Sequence, residues 1–99
     1  MTPRQMINIE LAARSVNTRA KDLIKKHVPA EHQEDLLIDF NCECSDDGCI
    51  ERVSLTLQSY EDLHDTKARF VITPGHDEPI VEKVHRQTKD FAVVDKYAL

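Results

Sequence analysis

The chain has no tryptophan, only two glycines (Gly48 and Gly75), and aromatic side chains at Phe40, Tyr60, Phe70, Phe91 and Tyr97 alone. A core with so few rings has to be assembled largely from Leu, Ile and Val. Two isolated glycines exclude a glycine-rich loop that cradles phosphate, and no G-x-S-x-G run seats a nucleophilic serine. Ser45, Ser54 and Ser59 carry no sign of an activating base. No apolar run approaches the ~20 residues that a membrane-crossing helix needs. Arg4, Glu10, Arg14 and Arg19 interrupt the N-terminal segment, where a signal peptide requires an apolar stretch. A cytoplasmic location, with no membrane partner, is expected.

The 99 residues, 40% of them hydrophobic, are read as a single domain, 1–99. A chain of this size buries roughly two-thirds of its unfolded surface, so a covalent or metal staple adds useful stability. Its three cysteines are an odd number, which in a reducing compartment disfavours a disulfide framework and leaves metal binding or thiol chemistry.

Formal net charge is −5, against a generic grip on nucleic acid, but the sign is unevenly distributed. Residues 1–30 sum to +4, through Arg4, Arg14, Arg19, Lys21, Lys25 and Lys26 against Glu10 and Asp22, and the remainder sums to −9. A basic helix beside an acidic body either docks on that body or faces an anionic partner.

Thr2-Pro3 with Gln5 has the form of a helix start: a hydroxyl cap, a proline at the first helical position, and a glutamine closing a capping box. Met6, Ile9, Ala13, Val16, Ala20, Leu23 and Ile24 then recur at helical spacing up to His27-Val28-Pro29. A long amphipathic helix over 3–27 is expected. Its basic residues lie off the apolar stripe, either as a solvated face or as a docking surface in which Arg14, Lys21, Lys25 and Lys26 bind a partner. The stripe itself is suited to pairing two copies of the helix into a homodimer.

Residues 30–35 read as a polar connector, and Leu36 to Phe40 as a strand running into the cysteines. Arg52 to Leu55 alternates as a second strand, Thr56 caps a short helix through His64, and Arg69 to Thr73 forms a third strand ended by Pro74-Gly75. Ile80 to Tyr97 reads as a hairpin around Gln87-Thr88-Lys89-Asp90. The fold class expected is α+β: a long N-terminal helix, then a β-rich region over 36–97 with a small, mostly antiparallel sheet, a zinc knuckle and one short helix.

The chemistry concentrates in Phe40-Asn41-Cys42-Glu43-Cys44-Ser45-Asp46-Asp47-Gly48-Cys49. Residues two apart on an extended strand point the same way, so Cys42 and Cys44 present both sulfurs to one point if the strand continues through them. The Asp47-Gly48 turn returns Cys49. His76, after the Pro74-Gly75 turn, is the preferred fourth ligand, and His64 the alternative. Three thiolates and an imidazole suit zinc better than magnesium or calcium. Glu43, Asp46, Asp47 and Glu51 crowd the cysteines with negative charge, which disfavours a free thiolate nucleophile. His76-Asp77-Glu78 is an H-x-E triplet, but the P-C-x-x-C pair that follows it in zinc deaminases is missing. Three ordinary, partly buried free cysteines remain the alternative to a metal site.

From Phe40 onward, Phe40-x-Cys42-Glu43-Cys44, Cys49, Leu55-Thr56, Tyr60-Glu61, Arg69-Phe70, Pro74-Gly75-His76, Glu82-x-Val84 and Val93-Val94-x-Lys96 stand in a recurring order. In this the chain resembles a family of small, mostly uncharacterised bacterial proteins, many with a similar amphipathic helix at the start. Ser59 and Asp77 stand where those relatives tend to carry Glu. Because the cysteines and this histidine travel together in the family pattern, the resemblance implies a metal site at Cys42, Cys44, Cys49 and His76. That family brings no settled activity. The function expected is a non-catalytic, zinc-stabilised regulatory or adaptor module that binds another protein. The alternatives are a transcription-linked regulator holding nucleic acid through its basic helix, and a thiol redox sensor or zinc enzyme.

Overall fold

The structure, a computed structural model, describes residues 1–98. Thr2 has extended backbone; its hydroxyl accepts from the Gln5 N–H at 3.2 Å, and Gln5 Oε1 accepts from the Thr2 N–H at 2.7 Å. This closed capping box, with proline in the first turn, starts helix α1 (Pro3–His27). Lys25, Lys26 and His27 fill its last turn, where cations meet carbonyls that have no helical partner. Gln33 Nε2 donates to the carbonyls of Lys25 (3.2 Å) and Val28 (2.6 Å), closing that end. The connector expected after α1 contains a one-turn helix, α2 (Ala30–Gln33), whose buried residues are none. Nothing apolar repeats there, so periodicity has no purchase on it.

Strands β1 (Leu37–Asn41) and β2 (Arg52–Thr56) pair antiparallel, with Phe40 opposite Val53 and Ile38 opposite Leu55. The Thr56 hydroxyl accepts from the Ser59 N–H at 3.1 Å and starts α3 (Leu57–Leu63). Strands β3 (Arg69–Ile72), β4 (Glu82–Gln87) and β5 (Ala92–Lys96) form a second antiparallel sheet in the order β3-β5-β4, with a register shift at His85. The small sheet expected is thus two sheets, both antiparallel.

The period of two along β3 and β5 divides the core. Val71 and Val93 join Phe40, Val53, Leu55, Tyr60 and Leu63. On the other face, Phe70, Ile72, Ala92 and Val94 join Cys42 and Cys44. Each such side chain, fully buried, contributes about 1.5–3 kcal/mol. The cysteines therefore lie against an apolar floor.

Helix α1 meets this body differently from what its pattern suggests. Its buried residues are Glu10 and Asn17, whereas Val16 and Leu23 of the apolar stripe are 53% and 55% exposed. Asn17 matches the backbone of Asn41 at both ends: its Nδ2 donates to the Asn41 carbonyl and its Oδ1 accepts the Asn41 N–H, each at 2.8 Å. Arg14 donates to the Lys67 carbonyl and sits over the Phe70 ring at 4.9 Å, and Lys25 pairs with Glu61 at 2.9 Å. The helix docks by these hydrogen bonds and charges, with Val16 and Leu23 of its stripe left outside and Met6, Ile9, Ala13, Ala20 and Ile24 half-buried. None of the described helices is long and apolar enough to cross a membrane.

Candidate metal centre

Strand β1 ends at Asn41, so the ladder does not continue regularly through the cysteines. Two bonds extend it nonetheless: the Cys42 N–H reaches the Glu51 carbonyl (3.2 Å), and the Glu43 N–H reaches the Val71 carbonyl (2.9 Å). The C-E-C segment thereby leaves the first sheet and lies along β3 of the second. It keeps the alternation of a strand, with the two sulfurs on one side and the Glu43 side chain on the other.

A tight loop returns the third sulfur. Asp46 Oδ1 accepts the Gly48 N–H at 3.0 Å, and the Asp46 carbonyl accepts the Cys49 N–H at 3.1 Å. His76 comes from a turn in which its N–H reaches the Thr73 carbonyl at 3.0 Å, with Pro74 second and Gly75 third at φ 88°. That is the type II arrangement, and its third position favours glycine because an L side chain is strained at positive φ.

These elements bring Cys42, Cys44, Cys49 and His76 together, with their ligand atoms all within 4.8 Å of one another. The four can share one metal ion. His76 Nδ1 lies 3.6 Å from Cys42 Sγ and 3.7 Å from Cys49 Sγ. Cys42 and Cys44 are buried, while Cys49 and His76 are half-buried. The Thr73 N–H donates to Cys42 Sγ at 3.2 Å. Without a metal the thiols split unequally. The hydrogen bond with Cys44 draws Cys42 down to about 5 against the effect of burial, with the Thr73 N–H adding to the pull. Its bond to Cys42, and burial, push Cys44 far above the ordinary thiol range. One thiol thus holds its proton against a neighbouring thiolate, and a cation replaces that proton when it binds.

His64, the alternative ligand, is engaged elsewhere. Its Nε2 lies 2.9 Å from Glu43 Oε1, its Nδ1 lies 2.9 Å from the Tyr60 carbonyl, and its ring stacks on Tyr60 with centroids 4.0 Å apart. Glu43 itself is turned away from the sulfurs it was expected to surround with charge. It is fully buried, and its carboxylate gathers four groups. Oε2 accepts from Asn17 Nδ2 (2.9 Å) and the Tyr60 hydroxyl (2.7 Å), and Oε1 faces His64 Nε2 and accepts the Val71 N–H (2.9 Å). Burial and the Glu43 charge push the Tyr60 phenol well above its ordinary range, so it stays a donor. One carboxylate between two ligand cysteines therefore ties α1, α3 and β3 to the site.

A second buried cluster lies beneath α1. Lys96 Nζ donates to Glu10 and to Glu82, its ammonium 4.6 Å from the centre of the Phe70 ring, and all three charged side chains are inaccessible. Burial raises Glu10 above its ordinary value despite Lys96, and burial lowers Lys96 despite Glu10. Glu10 Oε1 has no partner. Sequence reasoning gave Asn17, Glu10, Glu82 and Lys96 no structural role and read Glu43 only as charge beside the cysteines. Parity could have found two of them: Glu43 sits out of phase with Cys42 and Cys44, and Lys96 sits in phase with the apolar Ala92 and Val94.

Of the basic residues expected to bind a partner, Arg14 and Lys25 direct their charge to the body, and Lys21 lies 3.2 Å from Asp22. Lys26 is exposed in the last turn of α1. His27, His32 and His85 are exposed. Comparison with family models, with curated proteins and with solved structures gives no match.

Proposed function

We propose that the chain is a non-catalytic, zinc-stabilised regulatory or adaptor module that acts by binding another protein. The observation that carries the reading is the closed four-ligand set at the junction of the two sheets. Around a tetrahedral zinc, bonds of about 2.3 Å to sulfur and 2.0–2.1 Å to nitrogen give sulfur–nitrogen separations of about 3.5 Å. The separations of 3.6 and 3.7 Å from His76 Nδ1 match that span. Soft thiolates favour zinc over oxygen-seeking cations, and four protein ligands leave no position for a reacting water. A bound zinc would hold the C-E-C segment, the 46–49 loop and the His76 turn as one unit.

The thiols have no disulfide partner, which fits a reducing, cytoplasmic setting. The nucleic-acid alternative loses support where Arg14 and Lys25 are spent on contacts within the molecule. Alkylation of the metal-loaded protein tests the structural role of the site. Full protection of all three cysteines until a chelator is added is the expected result. Rapid stoichiometric labelling of the loaded protein would instead indicate an open or reactive thiol and overturn the non-catalytic reading.

A further inference from the structure

Met6, Ile9, Ala13, Val16, Ala20 and Leu23 advance by alternating steps of three and four. That is the 3.5-residue period of an a/d seam, with small alanines alternating with Ile, Val and Leu. On a helix whose purpose was to cover its own domain, this seam would be the buried side. Here the fully buried positions of the helix are Glu10 and Asn17, and of the seam Val16 and Leu23 are exposed while Met6, Ile9, Ala13 and Ala20 are half-buried. Beside its N-terminal half runs a groove of about 220 Å³, walled by Ile9, Ala12 and Val16 on one side and by Asp46, Asp47 and Cys49 of the metal loop on the other. Ile50, the next residue, is 85% exposed. Apolar groups aligned along one flank mark an interface, whereas singly scattered ones need no explanation.

We infer that the occupant of this flank is a second copy of the chain, paired through antiparallel α1 helices about a two-fold axis near Ala20. Three features are self-complementary under that operation. Val16 of each copy faces Leu23 of the other, and the small Ala20 side chains let the helices approach at the axis. The metal loop of each copy, beside residues 9–16, meets the C-terminal end of the other copy's α1, where Ile50 finds apolar cover. The loop presents exposed Asp46 and Asp47, and the helix end presents exposed Lys26 and His27, so opposite charges meet twice. The inference deepens the adaptor reading by naming its first protein partner, and it rests on that reading in taking a protein as the partner.

Light scattering over a dilution series of the metal-loaded protein tests it. The expected mass is twice 11.4 kDa, falling to 11.4 kDa for Val16→Glu with helical circular dichroism retained. A parent that stays at 11.4 kDa at every concentration, or a Val16→Glu variant that keeps the doubled mass, overturns the inference. A charge exchange then fixes the orientation. Asp47→Lys and Lys26→Glu each weaken self-association through like charges at both contacts, and an equimolar mixture restores a heterodimer in which both contacts are opposite again. A mixture that associates no better than its components contradicts the antiparallel arrangement. Metal content measured on the same sample separates the two readings: a zinc-loaded monomer overturns this inference alone, and a metal-free dimer overturns the structural-zinc reading alone.

Discussion

Replacing Glu43 by Gln keeps the size of the side chain and removes the charge around which α1, α3 and β3 gather. The four contacts decide the outcome. An amide offers one oxygen and one NH₂, and each carboxylate oxygen of Glu43 meets one donor that cannot reverse: the Val71 N–H at Oε1 and Asn17 Nδ2 at Oε2. The Tyr60 hydroxyl can rotate and the His64 ring can exchange tautomers, but a backbone N–H cannot. Asn17 is equally fixed, because its Oδ1 already accepts the Asn41 N–H. Whichever way the amide lies, one buried donor faces another. A stranded buried donor costs about 1–3 kcal/mol, and replacing charge-assisted bonds by neutral ones costs a similar amount again, so the total is about 3–5 kcal/mol. For a chain of this length, at roughly 0.05–0.15 kcal/mol per residue, that is about a fifth or more of the folding free energy. Glu43→Asp fares no better, since a chain one methylene shorter cannot reach all four groups. Urea denaturation of the metal-loaded protein measures the loss, and a competing chelator should report metal affinity about 10–100-fold weaker, as for other groups that orient ligands. A Glu43→Gln protein within about 1 kcal/mol of the parent, with unchanged metal affinity, would refute the description of Glu43 as the joint of the fold.

Three further outcomes follow from the other contacts. Lys96→Met removes the cation between buried Glu10 and Glu82 and should cost about 3–5 kcal/mol in urea denaturation, while a loss under about 1 kcal/mol would contradict the buried cluster. Glu10, raised by burial above 4.5, binds its proton more tightly folded than unfolded. Its contribution to stability is full below pH 4.5 and is lost as pH rises through the raised value. Glu10→Gln should therefore gain on the parent as pH rises from about 4.5 and then hold a constant margin; a margin equal at every pH would dismiss the effect. Gly75→Ala places a side chain at φ 88° with nothing within 4 Å of it, so its cost, about 1 kcal/mol, is conformational, and weaker metal binding should accompany the displaced His76 turn. Metal affinity equal to the parent's would show that the turn does not position His76.

Local signals made much of the fold legible. Thr2, Pro3 and Gln5 mark the start of α1 because a capping box lies within four consecutive residues, and Thr56 marks α3 because its N-cap bond to the Ser59 N–H is equally local. The cysteine spacing and the Pro74-Gly75 turn point to His76 because tight turns leave few directions for the next side chain. The docking of α1 was not legible. Hydrophobic periodicity identifies an apolar side, but which side is buried here depends on what the rest of the chain offers, and it offers the Asn41 backbone, the Lys67 carbonyl, Glu43, Glu61 and Lys96. Matches of that kind are made between residues distant in sequence. Two adjoining sheets in place of one follow from the C-E-C segment leaving β1 to lie on β3, which no local period encodes.

The central claim is that Cys42, Cys44, Cys49 and His76 hold one zinc that organises the β-rich region. Plasma mass spectrometry of the purified protein, with a chelator titration followed by circular dichroism, tests it most directly. One tightly bound zinc per chain, lost together with the folded signal and absent from a Cys44→Ser protein that is unfolded or molten, is the predicted result. A metal-free protein with three titratable thiols and an intact cooperative fold would contradict it.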